Sequence, residues 1–166
     1  MARPQKSPIH TRLSRRIKTI KRILHSIATL GFIGYLPKAP GSFGTLPPYL
    51  LVMLFRPDDI PLLIFSAFIF LLGVLSAHQA ERVLGKDSGH IVIDEFCGYL
   101  ISVLFLPKTL AYLTAAFILF RFFDILKPTP IRMIEKTIPG GAGVMMDDVL
   151  AGIYANICLQ VWRYLY

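Results

Sequence analysis

Long apolar runs, broken by short polar or proline-rich punctuation, set the rhythm of this chain. Residues 60–80 carry no formal charge over 21 positions, and residues 96–120 carry one, Lys108, over 25 positions. An uncharged apolar run of about 18 or more residues is a transmembrane-helix candidate. Sustained alternation is missing, and most runs exceed ordinary strand length, so the pattern predicts an all-α fold. The elements expected in order begin with a basic helix ending near residue 28. A Gly/Pro-rich loop follows over 34–48 (GYLPKAPGSFGTLPP), then a short apolar segment over 49–55 that ends at RPDD. A helix over 60–79 precedes a polar loop, ERVLGKDSGH, at 81–90. Apolar elements over 91–106 and 110–126 are separated by Pro107-Lys108, and Pro128 and Pro130 end the second. TIPGGAGVMM reads as another glycine-rich loop, and the last helix is expected from Asp147 to Tyr166.

The lengths carry a geometric consequence. Residues 96–106 make about 16 Å of helix and residues 109–120 about 18 Å. Neither crosses a hydrocarbon core of about 30 Å. A turn at Pro107-Lys108 would make them a hairpin, with Asp94 and Glu95 brought to the same end as Arg121 and Asp124. A turn at 56–59 likewise returns the chain toward the end where loop 37–45 lies. The expected architecture is a compact helical, membrane-associated bundle with the glycine-rich loops and five carboxylates at one end.

Charge divides the chain. Residues 1–38 hold nine Lys/Arg and no Asp/Glu, whereas residues 39–166 hold nine basic and ten acidic residues. Leu13, Ile17, Ile20, Leu24 and Ile27 step by four and three, the apolar stripe of an amphipathic helix. Arg12, Arg15, Arg16, Lys18, Lys21 and Arg22 lie largely off that stripe. Such a helix suits an anionic membrane surface better than nucleic acid; a packed surface helix or a frayed tail is the plainer alternative. Two parts are therefore expected, a basic amphipathic segment at 1–28 and a single helical domain at 29–166. The charged share is 17%, against about 25% in soluble domains, which favours a membrane protein. Cys97 and Cys158 lie far apart in apolar sequence and read as buried thiols, not as a disulfide or metal pair. No secretory signal is expected, because the basic stretch is long and no small-residue cleavage motif follows it.

Five carboxylates stand in strongly apolar surroundings: Asp94 and Glu95 in IVIDEFCGYL, Asp124 in RFFDILKP, and Asp147 and Asp148 in VMMDDVLAG. Each costs several kcal/mol there unless paired, protonated or bound to a cation. Hard oxygen ligands of this kind suit Mg²⁺. Arg121, Asp124 and Lys127 recur at steps of three, which keeps them on one side of a helix. They read either as a metal ligand flanked by two phosphate contacts or as a pair that neutralises buried charge. Of the adjacent Asp147 and Asp148, one can face a metal while the other caps a helix start. Loop 37–45, PKAPGSFGT, offers Lys38, Ser42, Thr45 and backbone N–H groups to phosphate, or is a turn before a helix. It is not a Walker A sequence. No C-x₅-R or D-x-D motif is present, and DSGH at 87–90 lacks the flanking basic and histidine motifs of histidine phosphatases. His10, His25, His78 and His90 show no ligand spacing; His90 is held in reserve, four residues before Asp94.

Taken together, PKAPGSFGTL, IVIDEFCGYLI, FRFFDILKPTPIR and GGAGVMMDDVLAG resemble the phosphatidylglycerophosphatase A family of bacterial membrane lipid phosphatases, over roughly residues 30–156. The resemblance implies Mg²⁺-dependent hydrolysis of phosphatidylglycerophosphate, an anionic phospholipid, to phosphatidylglycerol and phosphate. It implies a site facing the cytoplasm from the bacterial inner membrane. Asp94, Glu95, Asp124, Asp147 and Asp148 become metal-ligand or acid–base candidates. Arg121, Lys127 and Lys38 become phosphate contacts, with Ser42 and Thr45 beside them. Direct attack by an activated water is the expected route, with an aspartyl-phosphate intermediate as the alternative. A head-group transferase would need DG-x-x-AR with a longer aspartate continuation, which DDVLAG lacks. A non-enzymatic small membrane subunit or relay protein would use the same acids as pairing or relay groups, and a soluble helical domain would leave the membrane fraction without detergent.

Overall fold

The computed structural model describes the backbone of residues 8–86 and 88–165, and the side chains of that range apart from residues 8–13, 135 and 136. The first seven residues of the basic segment, and the side chains of Arg12 and Leu13, lie outside the described residues. Seven α-helices and no strand occur among the described residues: α1 (Pro8–Ala28), α2 (Pro40–Phe55), α3 (Asp59–Leu84), α4 (Ile93–Ser102), α5 (Leu110–Leu126), α6 (Ile131–Thr137) and α7 (Gly141–Leu165). The all-α expectation holds.

Helix α3 shows why the bundle forms as it does. Its inward stripe is Leu62, Ser66, Ile69, Gly73, Ala77 and Ala80, mostly small side chains. The two buried hydroxyls on this helix, on Ser66 and Ser76, donate to the Leu62 and Gly73 carbonyls. The outward stripe, Ile60, Ile64, Phe68, Leu71 and Leu75, is large and exposed. Small residues inside and large apolar ones outside is the arrangement of a helix that packs on helices and faces lipid. Both α3 and α7 are long and apolar enough to cross a membrane.

The α4–α5 hairpin forms as expected, turning over residues 103–109. Its irregular backbone is satisfied by side chains. Lys108 Nζ donates to the Val103 and Leu106 carbonyls at 2.7 and 3.0 Å, and to Asp59 at 2.7 Å. Asn156 donates to the Ser102 and Leu104 carbonyls, and Gln160 and Arg163 to that of Phe105. Non-helical backbone in apolar surroundings persists only where its polar groups are answered in this way.

Three boundaries differ from expectation. The loop expected over 34–48 ends at Ala39, because Pro40 occupies the first helical position, where its fixed φ and missing N–H cost nothing. Helix α2 then runs through Pro47 and Pro48, held by packing against α4. Helix α3 continues to Leu84, through the first residues of the expected polar loop. Helix α7 starts at Gly141, not Asp147, and α6 fills part of the connection before it. The glycines belong to helix packing: a Cβ on Gly152 would stand 2.3 Å from the Gly98 carbonyl oxygen, so α4 and α7 cross in near backbone contact.

Helix α1 packs its C-terminal part against α3, and the Ala28 carbonyl accepts from the Val92 N–H at 2.9 Å. Leu24 and Ile27 of the stripe are half-buried, whereas Ile17 and Ile20 are exposed.

Candidate active site

Three helices bring charge to one end of the bundle, and a fourth packs over it. Asp94 and Glu95 occupy the first turn of α4. Arg121 and Asp124 occupy the last two turns of α5, and Lys127 is its C-cap. Asp147 and Asp148 sit on α7, and the start of α2 closes over the group. Because α7 begins six residues before Asp147, neither aspartate is in its first turn, so helix capping does not account for them.

Asp94, Glu95 and Asp148 each point a carboxylate oxygen into a common space, with the three oxygens within 4.8 Å of one another. Asp148 is buried, 3% exposed. Glu95 Oε2 and Asp148 Oδ2 are buried and have no hydrogen-bond partner among the described residues. Burial raises the carboxyl of Asp94 well above the ordinary range, and the neighbouring Glu95 charge adds to it. Burial also raises Glu95, against the opposing effects of its hydrogen bond with Asp94 and the Arg121 charge. Like charges this close, with oxygen atoms unanswered, are the condition a bound cation relieves. The donor set, all carboxylate oxygen, fits a hard divalent ion.

The other two carboxylates are paired. Arg121 donates to Asp124 in a short ion pair and also faces Glu95 Oε1 at 3.6 Å. Lys127 leaves the helix in the left-handed conformation, φ 44°, and reaches Asp147 Oδ2 at 2.6 Å. Five carboxylates therefore meet two cations, leaving three formal negative charges in the group. The adjacent aspartates have divided labour: Asp148 joins the open triad, and Asp147 holds Lys127.

The phosphate candidates expected over residues 37–45 are placed unevenly, Lys38 before α2 and Ser42 and Thr45 within it. Lys38 is exposed in a left-handed backbone conformation and Ser42 is half-buried. Thr45 is fully buried, and its hydroxyl donates to the Gly41 carbonyl at 2.8 Å, so it supports the first turns of α2. Gly41 is the residue that sequence reading missed. A Cβ there would stand 2.1 Å from Glu95 Oε1 and 2.8 Å from the Arg121 guanidinium nitrogens. Only glycine lets α2 approach this closely, and the PG pair in PKAPGSF was the available signal. His90 lies outside the group: its Nδ1 meets the Gly34 carbonyl oxygen at 2.8 Å, and its ring stacks on Tyr35.

Comparison with known proteins fits this geometry. Residues 26–163 match the family model for phosphatidylglycerophosphatase A. Phosphatidylglycerophosphatase A of Haemophilus influenzae is 41% identical over 146 residues, covering 84% of this chain and 90% of the relative. The Escherichia coli protein of the same name is 37% identical over 124 residues, 72% of each chain. A Bacteroides thetaiotaomicron protein, provisionally named a phosphatidylinositol-3-phosphatase, is 38% identical over 140 residues, 79% of this chain and 87% of the relative. No solved structure matches. With an acidic triad set in the matched region, and relatives aligned over most of their length, the chain belongs to the phosphatidylglycerophosphatase A family.

Proposed function

We propose that this chain hydrolyses phosphatidylglycerophosphate to phosphatidylglycerol and phosphate, with Mg²⁺ held by Asp94, Glu95 and Asp148. The observation that carries the reading is the triad itself: three carboxylates with two buried, unanswered oxygens, beside an arginine, in a phosphatase family. When bound, the cation supplies charge that offsets the phosphoryl oxygens and polarises water.

The protein groups have separable tasks. Arg121, fixed by Asp124, presents positive charge next to the triad and binds phosphoryl oxygen. Lys127, fixed by Asp147, is the second phosphate contact. Water attacks phosphorus in line, and the bond from phosphorus to the glycerol oxygen breaks. A carboxylate of the group takes the proton from the attacking water, and that protonated carboxyl returns it to the departing alkoxide, which leaves as an alcohol. Lys38 and Ser42, at the mouth of the α2 start, contact the phosphate or head group from outside. Asp124 and Asp147 act by positioning. Direct displacement is our reading; a hydroxylamine-labile aspartyl-phosphate trapped on the chain by acid quench would replace it.

The basic helix serves the same function. Exposed Ile17 and Ile20 and the surrounding arginines and lysines lie on an anionic surface, with residues 29–166 as the catalytic unit. Positive charge of this density stays cytoplasmic, which puts the site on the cytoplasmic side of the bacterial inner membrane.

The test is phosphate release from phosphatidylglycerophosphate by the detergent-purified chain, with Mg²⁺ and then with EDTA, beside Asp148→Asn. Release that needs the metal and is lost in the variant supports the reading. Phosphatidylinositol-3-phosphate, run in parallel, asks whether the head group named for the Bacteroides relative is accepted. No release from folded protein returns weight to a non-enzymatic membrane subunit.

A further inference from the structure

Helices α5 and α7 pack against each other, and their seam can be followed from the carboxylate end downward. Lys127 meets Asp147 at the top. Below them Phe123 and Tyr154 pack edge to face, with centroids 5.6 Å apart. Below that pair the seam opens into an apolar groove of about 470 Å³, lined among others by Ala111, Ala115, Leu119, Cys158 and Trp162. Small side chains cause the opening. Two alanines and a cysteine stand where larger residues would meet across the seam. The groove faces outward: Ala111 and Cys158 are exposed.

Length identifies the occupant. The sixteen steps from Ala111 to Lys127 correspond to roughly 24 Å along α5. One leaflet of a bilayer, head group included, is about 20–22 Å deep. The groove begins at Leu119, roughly 12 Å below Lys127. That is where the hydrocarbon of a lipid lies when its head group is at the carboxylate end. The groove runs along the helices, as an acyl chain does beside a membrane-embedded bundle, and its lining is almost wholly apolar. Resting on the lipid-phosphatase function proposed above, we propose that the α5–α7 groove holds an acyl chain of the substrate whose phosphate is bound at the carboxylate group. Recognition is then divided between two ends of one seam, charge above and chain below, and lipids with chains too short to pass Leu119 lose the lower half.

The chain carries its own reporter, because Trp162 is its single tryptophan. Full-length protein in detergent micelles is titrated with phosphatidylglycerophosphate brominated on distal acyl carbons, and with equally brominated phosphatidylcholine. The expected result is saturable quenching of Trp162 by the phosphomonoester lipid at lower mole fraction, reversed by its unbrominated form. Equal quenching by both lipids at every mole fraction overturns the proposal, since the tryptophan then senses only bulk lipid. Ala115→Phe fills the groove and should raise KM for long-chain substrate about tenfold, with turnover of a dihexanoyl analogue within about twofold of the parent. A bulky maleimide on Cys158 is a second filler that needs no refolding, because Cys158 is exposed and Cys97 is buried. Long-chain kinetics untouched by both fillers overturns the assignment. So does efficient Cys158–Cys158 cross-linking between copies with full activity retained, which gives the groove to a second copy of the chain. Head-group-dependent quenching without phosphate release sinks the enzymatic reading and leaves the groove standing; release without such quenching does the reverse.

Discussion

The two ends of the bundle treat buried polarity in opposite ways. At the far end, Asp59 accepts from Lys108 and from the Phe105 N–H, and the turn carbonyls are answered by Lys108, Asn156, Gln160 and Arg163. No buried side-chain polar atom there lacks a partner among the described residues. At the carboxylate end, Glu95 Oε2, Asp148 Oδ2 and Arg121 Nε are buried and unanswered, and acids outnumber bases. The polar groups of the far end, which hold the turn, are saturated within the chain. Those left unsaturated at the carboxylate end, at a cost in stability, point to something the chain must bind.

The comparison can be broken from either side. The largest effect is expected for Asp148→Asn: a loss of at least about 100-fold in phosphate release, with thermal stability unchanged or raised, because one of three crowded like charges is gone. Activity assays beside a melting curve check both halves, and a large fall in melting temperature would class the triad with the far end. Arg121→Ala should damage both properties, with activity down about 100-fold and stability down by about 3 kcal/mol, since Asp124 and Glu95 lose their cation. A variant that remains active would remove Arg121 from the site. Lys108→Met at the far end should cost about 2–3 kcal/mol and leave kcat per folded molecule unchanged; Asp59 is part-exposed, which keeps the loss below that of a fully buried pair. Asn156→Ala is the mildest, about 1–2 kcal/mol from two forfeited bonds to turn carbonyls, again without a kinetic signature. A change in metal dependence in either far-end variant would show that the ends are not separate.

The features legible in the sequence were those set by local chemistry. Pro107-Lys108 between two apolar runs gave the hairpin, and the hairpin brought Glu95 to Arg121. The apolar length of α3 and the gathering of the acids at one end were equally plain. Helix starts were not. Pro47 and Pro48 each forfeit a helical bond, and their reading as loop fails because packing of the flanking apolar residues outweighs propensity. Gly141 and Gly143 read as a loop yet lie inside α7, where lack of a side chain allows close approach to α3 and to the Ile138 carbonyl. An error of six residues in a helix start also hides which of two adjacent acids faces the triad. The division between Asp148 and Asp147 is therefore set by tertiary packing and not by local sequence. Gly41 was hidden for a related reason: what it makes room for lies more than 50 residues along the chain.

The capped hairpin has a consequence for how this protein can change over time. Twelve residues separate Lys108, locked to the far-end turn, from Arg121, which touches the triad. Deleting one of them would swing Arg121 by about 100° around α5 and draw it back about 1.5 Å. Substitutions along that stretch alter packing by degrees, but an insertion or deletion changes which side chain faces the triad. Descendants of this gene are therefore free to vary the letters between those anchors, and bound to keep their number.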